Sequence, residues 1–138
     1  VMSESDVHNF IDNLAIILGT NDISKLGGQR NVYVINNESA LYLKISRKVH
    51  FWGISKNVKQ KLKRTPYRIF IGLIDGDIER TFIIPLDELD DYFSRANLAK
   101  DGSFKLSTTE GNYISIRGST LHFDGNEYLN NYMQLVSE

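Results

Sequence analysis

The sequence predicts an α+β protein: a single domain with a mixed, mainly antiparallel sheet and flanking helices. Segments with helix and strand periodicity follow one another in the order α-β-β-β-α-β-β-α-β-β-β-α, which favours a mixed sheet over a parallel βα repeat. A length of 138 residues suits one hydrophobic core, so 1–138 reads as one domain. The composition, 41% apolar with 24% charged, is that of a folded chain rather than a disordered one.

The first element is a helix. Ser3 stands at its N-cap position with Asp6 three residues on, and Val7, Phe10, Ile11, Leu14 and Leu18 share one face. Gly19 ends it. After the Gly27-Gly28 loop, RNVYVINN and SALYLKISR form a hairpin across Asn36-Asn37-Glu38. In the second strand Leu41, Leu43 and Ile45 alternate with Tyr42, Lys44 and Ser46, which leaves one face for the core and one for function. HFWGI is a third short strand, with a sharp turn expected at Trp52-Gly53. Ser55 caps the helix KNVKQKLKR, in which Val58 and Leu62 face inward and Lys56, Lys59 and Lys63 line another face. Pro66 stops that helix. YRIFIGLI and RTFIIP are strands joined by an Asp75-Gly76 turn. Pro85 opens the helix LDELDDYF, whose Asp87 and Glu88 suit the positive end of its dipole. Asp101-Gly102, Glu110-Gly111 and Gly118 separate three strand-like pieces, SFKLST, NYISIRG and TLHFDG, and the amphipathic NEYLNNYMQLV closes the chain.

Several function classes have nothing to stand on. LAIILG and IFIGLI are too short to span a bilayer, and no stretch has the pattern of a signal peptide. The absence of cysteine rules out disulfides and thiolate metal sites, which leads us to expect a cytoplasmic protein without a membrane partner. Val1 ahead of Met2 reads as a residue preceding a native start. GxSxG, GxGxxG and GxxxxGK[ST] are absent. His8, His50 and His122 are scattered at no metal-ligand spacing, so they read as surface or satisfied core residues. Asp75-Gly76-Asp77 could hold a cation in principle, but its place between two strands favours a turn. Neither a catalytic residue nor a metal site nor a cofactor is expected on these grounds.

The charge distribution is the informative feature. Net charge is only −1, yet residues 39–74 carry nine Lys/Arg and no acid, while 75–91 carry seven acids against Arg80 alone. With 17 acids in 138 residues, the acid-free stretch would hold about four at the chain average. Phosphate binding is driven by Lys/Arg displacing counterions and is opposed by nearby carboxylates, so such a stretch is an electrostatic footprint for nucleic acid. The alternative is a solvated face paired with the acidic segment that follows. On the binding reading, Lys56, Lys59, Lys63 and Arg64 hold phosphates, and Lys44, Arg47 and Lys48 extend the patch. Arg47 and Arg68 are candidates for base edges. Trp52 either stacks on an extruded base or packs under the helix.

Two resemblances bear on biology. In order of elements, residues 5–93 resemble the PD-(D/E)xK nuclease core of restriction enzymes, with SALYLKISRK in the place of its metal-binding strand. That family sets a carboxylate two residues before the lysine, where two acids hold the Mg²⁺ that activates water. This sequence has Tyr42 there, and Glu38 lies six residues from Lys44. FWGISKNVKQKLK, a strand turning into a basic helix, also resembles the pseudobarrel DNA-recognition domains of plant transcription factors and restriction enzymes, whose sheet is curled. Both imply a DNA-binding module of a restriction-modification or related defence system, with DNA and other subunits or domains of that system as partners. A Mg²⁺-dependent nuclease and a protein-interaction domain that pairs its basic segment with an acidic partner are the alternatives.

Overall fold

Strand alternation divides this chain into layers. The computed structural model describes residues 4–136. Helix α1 (Glu4–Leu18) precedes β1 (Ile23–Lys25), β2 (Val32–Ile35), β3 (Ser39–Ser46) and β4 (Phe51–Ser55). Helix α2 (Lys56–Lys63), β5 (Arg68–Asp75), β6 (Thr81–Pro85) and α3 (Leu86–Phe93) follow, and β7 (Ser103–Thr108), β8 (Tyr113–Ile116) and β9 (His122–Asp124) complete the strands. They form a five-stranded sheet, β1-β2-β3-β5-β6, and a four-stranded sheet, β4-β7-β8-β9. Every neighbouring pair is antiparallel except β3–β5. The α+β class is as expected, but the strands make two open sheets rather than one curled pseudobarrel.

Alternating residues of the larger sheet build two cores. Ala40, Tyr42, Ile71, Leu73, Phe82 and Ile84 point towards the smaller sheet, where Trp52, Ile54, Phe104, Leu106, Ile114 and Ile116 meet them. Leu41, Leu43, Phe70, Ile74 and Ile83 point the other way, onto Val7, Phe10 and Leu14 of α1 and onto Tyr132 and Leu135. The side chains of the larger sheet are therefore buried on both faces, which is why its strands read as continuous apolar runs. Full burial of each large side chain contributes about 1.5–3 kcal/mol. Gly125 sits between the sheets: a Cβ there would lie 2.6 Å from the Asn112 carbonyl and 3.0 Å from Phe82. No other residue fits that approach.

Local signals set most boundaries. Ser55 accepts from the Val58 N–H at 3.3 Å and caps α2. Gly19, at φ +66°, ends α1; Ser3, its expected cap, lies outside the described residues. HFWGI is a strand as expected, β4, which opens the second sheet and pairs with β7. Three expectations are corrected. Trp52-Gly53 is inside β4 rather than at a turn, and the chain reverses at residues 47–50. Asp75 is the last residue of β5 and is buried, its N–H donating to the Arg80 carbonyl at 2.8 Å, so the turn occupies residues 76–80. The closing segment is not an α-helix: turns and an isolated bridge from Leu129 to Phe82 precede one 3-10 turn, Tyr132–Leu135. Its asparagines bond elsewhere: Asn130 accepts from the Thr81 N–H at 3.0 Å and donates to the Glu79 carbonyl, in competition with helix formation.

Candidate nucleic-acid interface

The acid-free stretch folds as β3, the reversal at 47–50, β4, α2 and all of β5 but its last residue. Phe51 N–H donates to Ser46 Oγ at 3.2 Å across the reversal, and His50 takes the left-handed conformation at φ +51°. Helix α2 is held by Leu62, which is fully buried, and by Val58, which packs against the same core.

Four of the nine cations are committed to carboxylates. Arg47 pairs with Asp6 of α1. Lys59 donates to Asp90 Oδ1 at 2.7 Å, and Lys63 meets the other oxygen of the same carboxylate. Residues four apart on a helix are neighbours, so one acid on α3 serves both. Lys59 also lies 5.9 and 5.4 Å from the ring centres of the stacked Phe93–Phe104 pair, and burial lowers its pKa. The expected Lys56–Lys59–Lys63 stripe is therefore broken: Lys56 remains outward and the other two turn to α3. Arg68 donates to Ser39 Oγ at 3.0 Å and stands 3.8 Å from Glu38. Lys63 and Arg68 both line a cleft of about 580 Å³ that includes Tyr67 and Gln134.

Lys44, Lys48, Lys56, Lys61 and Arg64 have no carboxylate partner among the described residues. Lys48, Lys56, Lys61 and Arg64 are exposed. Lys44 is half-buried beside the Tyr42 ring, 5.7 Å from its centre, and burial, aided by the Lys105 ammonium, lowers its pKa. Trp52 leaves the interface. It is 2% exposed, its Nε1–H donates to the Ile74 carbonyl at 3.1 Å, and it meets Phe82 edge-on, so it packs in the core and is closed to a base.

The outer face of the smaller sheet carries a basic cluster that the sequence did not single out. With Trp52, Ile54, Leu106, Ile114 and Ile116 inward, alternation turns Phe51, Gly53, Lys105, Ser107 and Ser115 outward. Phe51 pairs with Ser107, and Gly53 with Lys105. Arg117, whose N–H donates to the Lys105 carbonyl, places its guanidinium 5.2 Å from the Phe51 ring centre, and Lys105 Nζ lies 5.9 Å from the same centre. Lys105 is also 2.6 Å from Asp101, and that bond holds Asp101 down at a pKa of about 2. Residues 92–138 have mixed charge, so only register brings these groups together.

A second constellation joins residues 25 apart. The Asp75 carboxylate, 3% exposed, lies 2.5 Å from His50 Nδ1 and accepts from Arg80 at 3.2 and 3.3 Å. Arg80 goes on to Asn112 at 2.7 Å, which ties the larger sheet to the loop before β8. The contact holds the ring through Nδ1, and Nε2 makes no hydrogen bond among the described residues. Nε2 is therefore open to a hydrogen bond with a bound group.

Among the described residues no group of three or more His, Asp or Glu side chains comes together to hold a metal ion. Glu38 immediately precedes β3, beside Arg68, whereas Lys44 pairs with Leu73 near the other end, about 20 Å away along a strand. Tyr42, at the position where a nuclease carboxylate would stand, points into the core. No helix among the described residues is long and apolar enough to cross a membrane. In comparisons with known proteins, no family model, no curated protein and no solved structure matches this chain.

Proposed function

We propose that this chain is a DNA-binding module that docks the basic strand-turn-helix of residues 44–64 on duplex DNA through its phosphates. The observation that carries the reading is that five cations, Lys44, Lys48, Lys56, Lys61 and Arg64, follow one another along that element with no carboxylate partner among the described residues. Phosphate contacts position a protein on DNA and give it a steep salt dependence. The buried Leu62 and the Ser55 cap hold α2 in place, so docking would not have to order it first. Placement in a restriction or related defence system, with its other subunits as partners, rests on the resemblance of the element order. The binding reading is preferred to a Mg²⁺-dependent nuclease because Lys44 feels the Lys105 ammonium and has no carboxylate partner among the described residues.

The test is fluorescence anisotropy with a labelled duplex across a salt series. Each phosphate contact contributes a slope of about −0.9 in log K against log salt, so the Lys56/Lys61/Arg64→Ala variant should flatten the slope by about 2.7. An unchanged slope moves the interface off α2. No binding at low salt removes the reading altogether, and cleavage on adding Mg²⁺ that Lys44→Ala abolishes would restore the nuclease.

A further inference from the structure

The outer face of the smaller sheet has a concave feature beside its cations. A slot of about 310 Å³ is lined by the segment Asn97–Ala99 together with Lys105, Arg117 and Gly118. Its volume is at the lower end of the roughly 300–1,000 Å³ of ligand-holding pockets. The Arg117 guanidinium is braced by the Phe51 ring, so a planar, cationic surface is presented with part of its freedom already removed. Arg117 has no carboxylate partner among the described residues, and Lys105 shares only Asp101. Leu98, 39% exposed, supplies an apolar contact, and Asn97 offers an amide with both a donor and an acceptor.

We propose that this slot takes one unstacked nucleotide of single-stranded nucleic acid, its base against Arg117 and Leu98 and its phosphate on Lys105. A single strand fits the geometry better than a duplex. Only an unpaired base exposes both its faces and its edge, and a slot one nucleotide wide cannot admit a groove wall. Charge selects the occupant: a guanidinium plane beside a second cation suits a base joined to a phosphate, and not a neutral or cationic peptide. Lys44 adds to the field, since its ammonium and that of Lys105 repel one another and a phosphate near both would relieve the repulsion. The inference rests on the preceding one only in taking nucleic acid as the ligand. Its residues differ from those of α2, so each can fail alone.

The experiment titrates the full chain against labelled oligo(dT), a labelled hairpin duplex and dTMP. Oligo(dT) should bind, and Arg117→Gln, Lys105→Gln and Phe51→Leu should each weaken it about tenfold, the loss expected for one stacked base. Duplex binding should change less than threefold in the same variants. All three substitutions lie on the outer face, and unchanged thermal midpoints would show that the fold is kept. The proposal is overturned if the folded variants bind oligo(dT) like the parent, if the parent does not bind it, or if dTMP binds as tightly as the strand. Loss of duplex binding alone in the α2 variant, with oligo(dT) retained, would support two separate surfaces.

Discussion

Helix α2 and the outer face of the smaller sheet are both basic, and the clearest contrast between their cations is that of Lys63, closed on a carboxylate, with Arg117, laid on a ring. On α2, Lys59 and Lys63 close on Asp90, and the charge that the sequence advertises is partly neutralised within the fold. On the sheet, Arg117 rests on the Phe51 ring with no carboxylate partner among the described residues, while Lys105 lies near the same ring and also pairs with Asp101. A carboxylate neutralises the cation that it holds, whereas an aromatic face fixes its position and leaves its charge and most of its N–H groups for a ligand. A count of Lys and Arg along a sequence therefore measures potential charge. Availability depends on where the nearest acid lies in space.

The largest test of this contrast is Asp90→Ala, which makes α2 resemble the sheet face. It leaves Lys59 charged in a half-buried site beside two phenylalanines, and urea denaturation should show a loss of about 3 kcal/mol. The salt slope of duplex binding should steepen by up to about 1.8, because two lysines are released. Stability and slope that both stay put would mean that the Asp90 pairs do not restrain α2.

Next in size is Trp52→Phe. Loss of the hydrogen bond to Ile74 and a small void should lower stability by about 1–2 kcal/mol while leaving DNA affinity unchanged. A folded variant with impaired binding would return Trp52 to the interface.

Lys44→Met should have a smaller effect and the opposite sign on stability. Burial disfavours the charged form of Lys44, so removing the charge while keeping most of the stem should raise the thermal midpoint and weaken DNA binding a few-fold. The sign with pH follows: between the lowered folded pKa and the ordinary value of 10.5, the unfolded chain holds the extra proton. The parent should gain stability relative to the variant as pH rises through that window. A midpoint that falls on substitution would show that the ammonium is well accommodated.

The smallest effect belongs to Asp101, an exposed carboxyl held at about 2 first by the Lys105 bond and then by Ser103. Its contribution is complete above its ordinary 3.8 and is lost as pH falls towards 2. NMR titration of the carboxyl in Lys105→Ala should bring its pKa most of the way back. No movement would mean that Lys105 is already free of Asp101 and fully open to a ligand.

Much of this fold could be read along the chain because its signals are local: Ser55 as a cap, Gly19 as a helix end and the alternation in β3 that separates Tyr42 from Leu41. The division into two sheets was not legible. Trp52 and Ile54 alternate just as a third strand of the first hairpin would, and only pairing with β7, some fifty residues later, assigns them to another sheet. The site shows the same limit. The acid-free stretch was visible, but Asp90 reaches Lys59 from 31 residues away and Asp75 reaches His50 from 25. Phe51, Lys105 and Arg117 have no common sequence signal, since their proximity is a product of strand register.

The route of the chain from β3 to β5 has a practical consequence. Those strands are parallel neighbours, so everything between them, β4 and α2 included, is the crossover that joins them. Strand β4 has a single sheet neighbour, β7, which comes after α3. The basic element is thus not a portable part. A fragment ending at residue 93 lacks the strand that holds β4, a peptide of residues 44–64 lacks both sheets, and transplanting α2 alone would leave Leu62 without its core. Whatever this surface binds, it is offered only by a chain whose two sheets have already come together.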